Sequence, residues 1–186
     1  MEEMFSIVNK KDEHILTVYG KDNLHEYGRY HRAVHVLVEV FGGLFILQKK
    51  AKGTENEGKW SSAVSGHVQY NESYEEAAIR EMHEELGIKA DQEDLNKLAK
   101  IGPSESLSNE FVTIFTYLMD PENEKLKLDE KEIDEIVISK LPDVIEDIEA
   151  HMDEYSPAFI EVFNTFLSLE KGMEGVIDER RHVNKC

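Results

Sequence analysis

The chain has 186 residues, 40% of them hydrophobic and 32% charged, a balance that suits one globular domain with a proper core. Its 39 acids against 21 Lys and Arg give a formal charge of −18, which argues against broad binding to nucleic acid or anionic membranes. The start Met1-Glu2-Glu3-Met4 lacks the features of a signal peptide, no long apolar run is present, and the only cysteine, Cys186, has no intrachain partner, so a cytoplasmic protein is expected.

Residues 4–8 and 14–19 read as short strands around the polar turn Asn9 to Glu13. Ala33 to Val40 is nearly continuous and β-branched, as a buried central strand requires. Phe41-Gly42-Gly43 then turns into Leu44–Gln48, a hairpin partner, and a polar loop over Ala51–Lys59 precedes Trp60. Further on, the pattern predicts a helix over Asp91–Ala99 and strands over Phe111–Leu118 and Ile133–Ser139. Helices are expected over Pro142–Met152 and Pro157–Glu170, the second packing Phe159, Ile160, Phe163, Phe166 and Leu167 into the core. Strands first and in the middle, with helices between and after, predict an α/β domain: a mixed sheet covered by helices on both faces. Residues 120–154 hold 14 acids against 4 lysines, which reads as a solvated acidic face.

The acid in residues 66–88, GHVQYNESYEEAAIREMHEELGI, has a different logic. Ser73 with Glu76 makes a capping box, and Gly87 supplies a left-handed stop, so a helix over about 74–86 is punctuated at both ends. At about 100° per residue, Glu81, Glu84 and Glu85 fall on one side, while Ile79, Met82 and Leu86 form a packing stripe on another. Carboxylates held that close repel and raise each other's pKa unless a cation sits among them. Mg²⁺, or Mn²⁺ in its place, resolves that conflict and can bridge to substrate phosphates.

Gly66, Glu72 and the run Arg80-Glu81-Met82-His83-Glu84-Glu85-Leu86-Gly87-Ile88 match the Nudix box at every defined position. The segment therefore resembles the catalytic loop–helix–loop of Nudix hydrolases. That resemblance implies a Nudix fold, an α/β/α sandwich with a mixed β-sheet, as a single domain over 1–186. An extra N-terminal hairpin over about 1–31 and C-terminal helices over about 141–171 would complete it. It implies Glu84 and Glu85 as metal ligands, Glu81 as a ligand or the base that activates water, and the Gly66 carbonyl facing the metal. Arg80 and Glu72 would brace the loop against the helix.

The likeness continues beyond the box. Gly28 to His35, Leu47 to Lys50, Gly58-Lys59-Trp60 and Gly66-His67-Val68 are similar to the isopentenyl-diphosphate-isomerase-like branch of the family. Isomerases of that branch use a cysteine just before the Gly-His pair; Ser65 stands there, and the box is complete, so both departures favour hydrolysis. His25, His31 and His67 resemble the histidines of the isomerase metal site, and Asn109-Glu110 resembles its Asn-Glu pair, with Ser108 in place of a further glutamate. Glu110 and His67 are thus candidate metal ligands, Glu110 also a candidate base, whereas His35, within an apolar strand, reads as structural. Lys49, Lys50, Arg32 and Lys59 are the candidate phosphate contacts. The expected partner is a small-molecule diphosphate, with a homodimer open. The expected activity is Mg²⁺-dependent hydrolysis of a nucleoside diphosphate linked to another moiety, or of a related diphosphate. The alternatives are an isopentenyl-diphosphate isomerase and a non-catalytic binding module.

Overall fold

The computed structural model describes residues 2–25 and 28–183, with side chains up to residue 171; Cys186 lies outside the described residues. A two-stranded ribbon comes first, β1 (Met4–Val8) paired antiparallel with β2 (His14–Tyr19), followed by the short helix α1 (Lys21–His25). The main sheet is built on β3 (His31–Val40), which pairs in parallel over its whole length with β8 (Glu110–Met119). Alternate β3 residues enter opposite cores: Val34, Val36 and Val38 on one face, Ala33 and Leu37 on the other. Burial on both faces explains the near-continuous apolar run.

The turn at Phe41–Gly43 leads into β4 (Leu44–Lys50), but the hairpin pairs only at Val40↔Leu44 and Glu39↔Phe45. Beyond those pairs the strands part. β4 is completed by β5 (Trp60–Ser62) and β9 (Ile133–Lys140), while the first half of β3 pairs antiparallel with β6 (Val64–His67). Helix α2 (Tyr74–Leu86) covers one face through Ala77, Ala78, Met82 and Leu86. Helices α3 (Leu141–Ala150) and α4 (Pro157–Val183) cover the other through Val144, Ile148, Phe159, Val162, Phe163 and Phe166. Each fully buried aliphatic or aromatic side chain contributes about 1.5–3 kcal/mol, so these two layers hold the sheet as a sandwich. No described helix is long and apolar enough to cross a membrane.

Two local expectations change. Asp91–Ala99 is not a helix: Asp94 accepts the Asp91 N–H at 2.8 Å, but this nucleates only the 3₁₀ turn Gln92–Asp94. The chain then enters β7 (Leu95–Ile101), paired antiparallel with β8 from Leu95↔Tyr117 to Ile101↔Val112. Pairing with a strand over ten residues away in sequence outweighs the weak local helix preference. On α2, the expected division of faces is displaced. Ile79 is only half-buried, whereas Glu85 is 3% exposed and lies with the apolar stripe, because polar groups of β4 and β6 wait there to receive it.

Candidate active site

Ser73 caps α2 with its side chain on the Glu76 N–H while Glu76 caps the Ser73 N–H, and Gly87 ends the helix at φ 72°. These local contacts fix where Arg80 and the three glutamates emerge. Arg80 forks onto Glu72, Nε to Oε1 at 2.8 Å and Nη2 to Oε2 at 2.9 Å, and Nη2 also donates to the His67 carbonyl at 2.9 Å. Its Nη1 reaches Glu81 at 2.7 Å and Glu84 at 3.1 Å. One guanidinium therefore ties the loop before α2, strand β6 and two of the carboxylates into a single unit. Burial disfavours the cation, but hydrogen bonds and charge from Glu72 and Glu81 more than offset it, so Arg80 stays charged.

The three carboxylates differ in depth. Glu84 is exposed at the helix surface. Glu81 turns inward onto Gly66, where a Cβ would stand 2.7 Å from its Cγ and overlap its carboxyl group; only glycine leaves that room. Burial lifts the Glu81 pKa to about 7, against the pull of Arg80 and with a further push from Glu85 and Glu84. Glu85 is sealed. It accepts from Gln48 Nε2 at 3.0 Å, the Ser65 N–H at 3.3 Å and Lys50 Nζ at 3.4 Å. Burial pushes its pKa up and Lys50 draws it back only in part. Beside it the Gln48 Oε1 is buried without a hydrogen-bond partner among the described residues.

Gly66 and Ser65 also line a cavity of about 730 Å³ on the opposite side of β6. Ala33, His35, His67, Glu110 and Lys50 contribute to its walls, with Lys21 and His25 from α1, Thr54 to Asn56 from the loop after β4, and Ser156 to Ala158 from the start of α4. At its edge four side chains converge, His25, His67 and Glu110 from the cavity wall and the buried His31 behind them, each placing one ligand atom, all within 4.8 Å of one another. A single Glu110 oxygen faces His67 Nε2 at 3.0 Å and His31 Nε2 at 3.1 Å. His25 stacks edge-on against both other rings, at centroid distances of 4.8 Å and 5.0 Å.

The donor set fits a cation. His31 Nδ1 lies 3.0 Å from the Arg29 carbonyl, which can only accept, so Nδ1 carries the hydrogen. In the neutral ring Nε2 then presents a lone pair towards a carboxylate oxygen, and either a proton or a metal ion must stand between them. Burial alone would raise the Glu110 pKa, but the hydrogen bonds and charge of His31 and His67 hold it well below the usual carboxylate range. Burial and the neighbouring His67 lower the pKa of His25, favouring its neutral, ligating form.

Residues 29–159 match the NUDIX domain family model, more than half of the chain. The chain belongs to the Nudix family. Among curated proteins of this family it is 32% identical over 148 residues to an isopentenyl-diphosphate Delta-isomerase of Aliivibrio fischeri, covering 77% of this chain and 72% of that one. It is 28% identical over 123 residues to the Serratia proteamaculans enzyme of the same name, covering 64% of this chain and 68% of that one. The crystal structure of DR0079 from Deinococcus radiodurans superposes with a TM-score of 0.67 at 20% identity, covering 80% of this chain and 90% of that one, which shows the shared Nudix fold.

The basic candidates separate cleanly in this Nudix domain. Of the four, Lys50 lines the cavity. Arg32 is held by Asp12, with Nε on Oδ1 at 2.6 Å and Nη2 on the carbonyl at 2.7 Å. Lys49 lies 5.4 Å over the Trp60 ring, and Lys59 donates to the Asp153 carbonyl at 2.6 Å. Lys49 points away because β4 alternates, so that only one of Lys49 and Lys50 can face inward, while Arg32 and Lys59 are taken up by Asp12 and the Asp153 carbonyl. Sequence reasoning missed Lys21, which lines the cavity one helical turn before His25, a spacing that could have suggested it. It also assigned His35 to structure alone, yet that ring both packs in β3 and faces the cavity.

Proposed function

We propose that this Nudix domain is a divalent-metal-dependent hydrolase of a diphosphate linkage, in a nucleoside diphosphate bearing another moiety or in a related small molecule. The observation that carries the reading is the seat of Glu81 on Gly66: a carboxylate with a pKa near 7 packs directly behind a glycine of the cavity wall, in space that only glycine leaves. A base poised near the working pH is what proton abstraction from water requires. In the step envisaged, the water oxygen forms a bond to phosphorus, its proton passes to Glu81, and the bridging P–O bond breaks to release a monophosphate. A divalent cation bound beside the carboxylates would neutralise the charge that builds on the phosphoryl oxygens.

Arg80 orients Glu81 through Nη1, and Lys50 brings a positive charge to the same wall, where it offsets Glu85 and can meet phosphate. Glu84 and Glu85, as hard oxygen donors, suit Mg²⁺; His25, His31, His67 and Glu110 form a softer set that suits Mn²⁺ or Zn²⁺. The test is monophosphate release from a panel of diphosphate compounds in Mg²⁺ or Mn²⁺. Turnover that disappears in Glu81→Gln supports the reading; metal-dependent binding with no turnover of any compound refutes it in favour of a binding module.

One observation favours a second reading. The three-histidine and glutamate cluster is similar to the isomerase metal site, and the two curated relatives described above carry the isomerase name. Against it stands Ser65, whose hydroxyl lacks the nucleophilicity and low pKa of a thiol. Conversion of isopentenyl diphosphate without release of phosphate would favour the isomerase.

A further inference from the structure

Two buried side-chain atoms have no hydrogen-bond partner among the described residues, Gln48 Oε1 and Thr113 Oγ1. Thr113 lies in β8 between Val34 and Lys100 of the flanking strands, and a threonine suits a strand interior by its shape alone. Gln48 has no such reason for its place. It is fully buried on the α2 face of β4, two residues after Ile46 and opposite Ile136 of β9, where an aliphatic side chain would leave no polar atom unmet. Among the described residues its amide makes one hydrogen bond, from Nε2 to Glu85 Oε2 at 3.0 Å. The reverse setting of the amide would turn oxygen against carboxylate oxygen, so the donor faces Glu85 and the acceptor is the atom left over.

We propose that Gln48 is a positioning residue for the divalent cation: Nε2 holds Glu85 in its ligating orientation, and Oε1 accepts a hydrogen from a water that the cation carries. This rests on the reading of Glu85 as a metal ligand given above, and adds to it a residue from outside the Nudix box. The Glu85 carboxylate has one oxygen filled and one open. Oε2 takes both the Gln48 amide and the Ser65 N–H, whereas Oε1 meets only the Lys50 ammonium among the described residues, at 3.4 Å. Gln48 and Lys50 stand on the same face of β4 because they are two residues apart, so both reach the one carboxylate.

The burial of Oε1 defines its missing partner. Bulk solvent does not reach that oxygen, and the nearby ammonium is engaged with Glu85, so the donor has to arrive with a ligand. A hydrated cation supplies one. Mg²⁺ binds through one or two carboxylates and keeps several of its waters, and a water polarised by the ion is a strong donor. An uncharged amide oxygen beside the carboxylate meets that water without repelling Glu85, as a second acid would. An aliphatic residue would leave both the carboxylate and the water unheld.

The test is Mg²⁺ calorimetry on wild-type protein, Gln48→Met and Glu85→Gln, with a thermal melt of each in chelator. Mg²⁺ is the probe because the histidine cluster suits softer ions. Methionine keeps the shape of glutamine and removes both polar atoms. The melting point in chelator should therefore stay close to that of wild type, while Mg²⁺ affinity falls about 10–100-fold, as it does on loss of an outer partner of a ligand. A residue that only ties β4 to α2 would show the opposite pattern. Affinity unchanged in Gln48→Met, with the ion lost in Glu85→Gln, overturns the proposal and leaves the metal reading standing. Binding unchanged in Glu85→Gln, or absent from wild type, sinks both. Should Gln48→Met fail to fold, a crystal structure of wild-type protein with Mg²⁺ decides the matter. A metal-bound water about 2.7–3.0 Å from Gln48 Oε1 is expected there, and a cation on Glu85 with that oxygen still unpartnered overturns the proposal.

Discussion

The Glu81 carboxyl occupies the space that a side chain on Gly66 would need. Strand β6 is therefore thin at one position, and there α2 packs against the strand that forms the cavity wall. Gly66→Ala should push Glu81 out of its seat. Overpacking of this kind costs about 1–3 kcal/mol, a tolerable loss of stability. If Glu81 is the base proposed above, the same displacement misplaces it by about 1 Å or more, and activity should fall at least about 100-fold. Parallel measurement of kcat/KM and of the thermal midpoint checks this; a variant as active as wild type would dissociate Glu81 from the chemistry.

Arg80 is the second point of leverage, because its five donors serve Glu72, Glu81, Glu84 and the His67 carbonyl together. Arg80→Ala leaves Glu72 and Glu81 without their counter-charge in a partly buried setting, and should destabilise the fold by about 2–4 kcal/mol. Arg80→Lys keeps the charge but not the fork, so it should recover only part of that stability. Urea denaturation of the three proteins at one pH tests the order wild type, Lys, Ala.

How legible these features were in the sequence followed their locality. Helix α2 could be bounded from Ser73, Glu76 and Gly87 because its caps lie within the segment itself. The depth of Glu85 could not, since Gln48 and Lys50 come from β4, over thirty residues earlier. β7 was hidden for the same reason: its strand character comes from β8, and taken alone the segment has helix-forming residues. The cluster of three histidines and Glu110 draws on α1, β3, β6 and β8, so only the family resemblance raised it. Whether Arg32, Lys49, Lys50 or Lys59 faced the cavity depended on strand alternation and on partners such as Asp12 and Asp153.

The raised pKa of Glu81 has a consequence for stability without metal. Its folded-state value, about 7, lies above the unfolded value near 4.5, so the native state holds the proton more tightly. The stability this provides is fully present below about pH 4.5 and is lost as pH rises through about 7. At pH 8 in chelator, Glu81→Gln, which mimics the protonated acid, should therefore be more stable than wild type by about 2–3 kcal/mol. At pH 4 the difference should vanish. Denaturation curves at the two pH values decide it, and an unchanged difference would mean that the residue is solvated in the native state.

His31 and Glu110 make the proposed metal site testable without any assay of catalysis. Among the described residues the Arg29 carbonyl fixes the His31 hydrogen on Nδ1, leaving Nε2 to face a carboxylate oxygen 3.1 Å away. Calorimetry with Mn²⁺ at pH 7.5 should show binding that His31→Gln or Glu110→Gln weakens at least about tenfold, as loss of a direct ligand generally does. Ion at about 100 times its Kd should raise wild-type stability by roughly 2.7 kcal/mol, and should do far less for either variant. Ligation needs neutral imidazoles and an ionised carboxylate, so acidification should weaken binding by up to about tenfold per unit for each proton displaced. Affinity that is flat from pH 5 to 8 would place the ion elsewhere, and retention of full affinity in both variants would reduce the cluster to a structural network of hydrogen bonds between β3, β6 and β8.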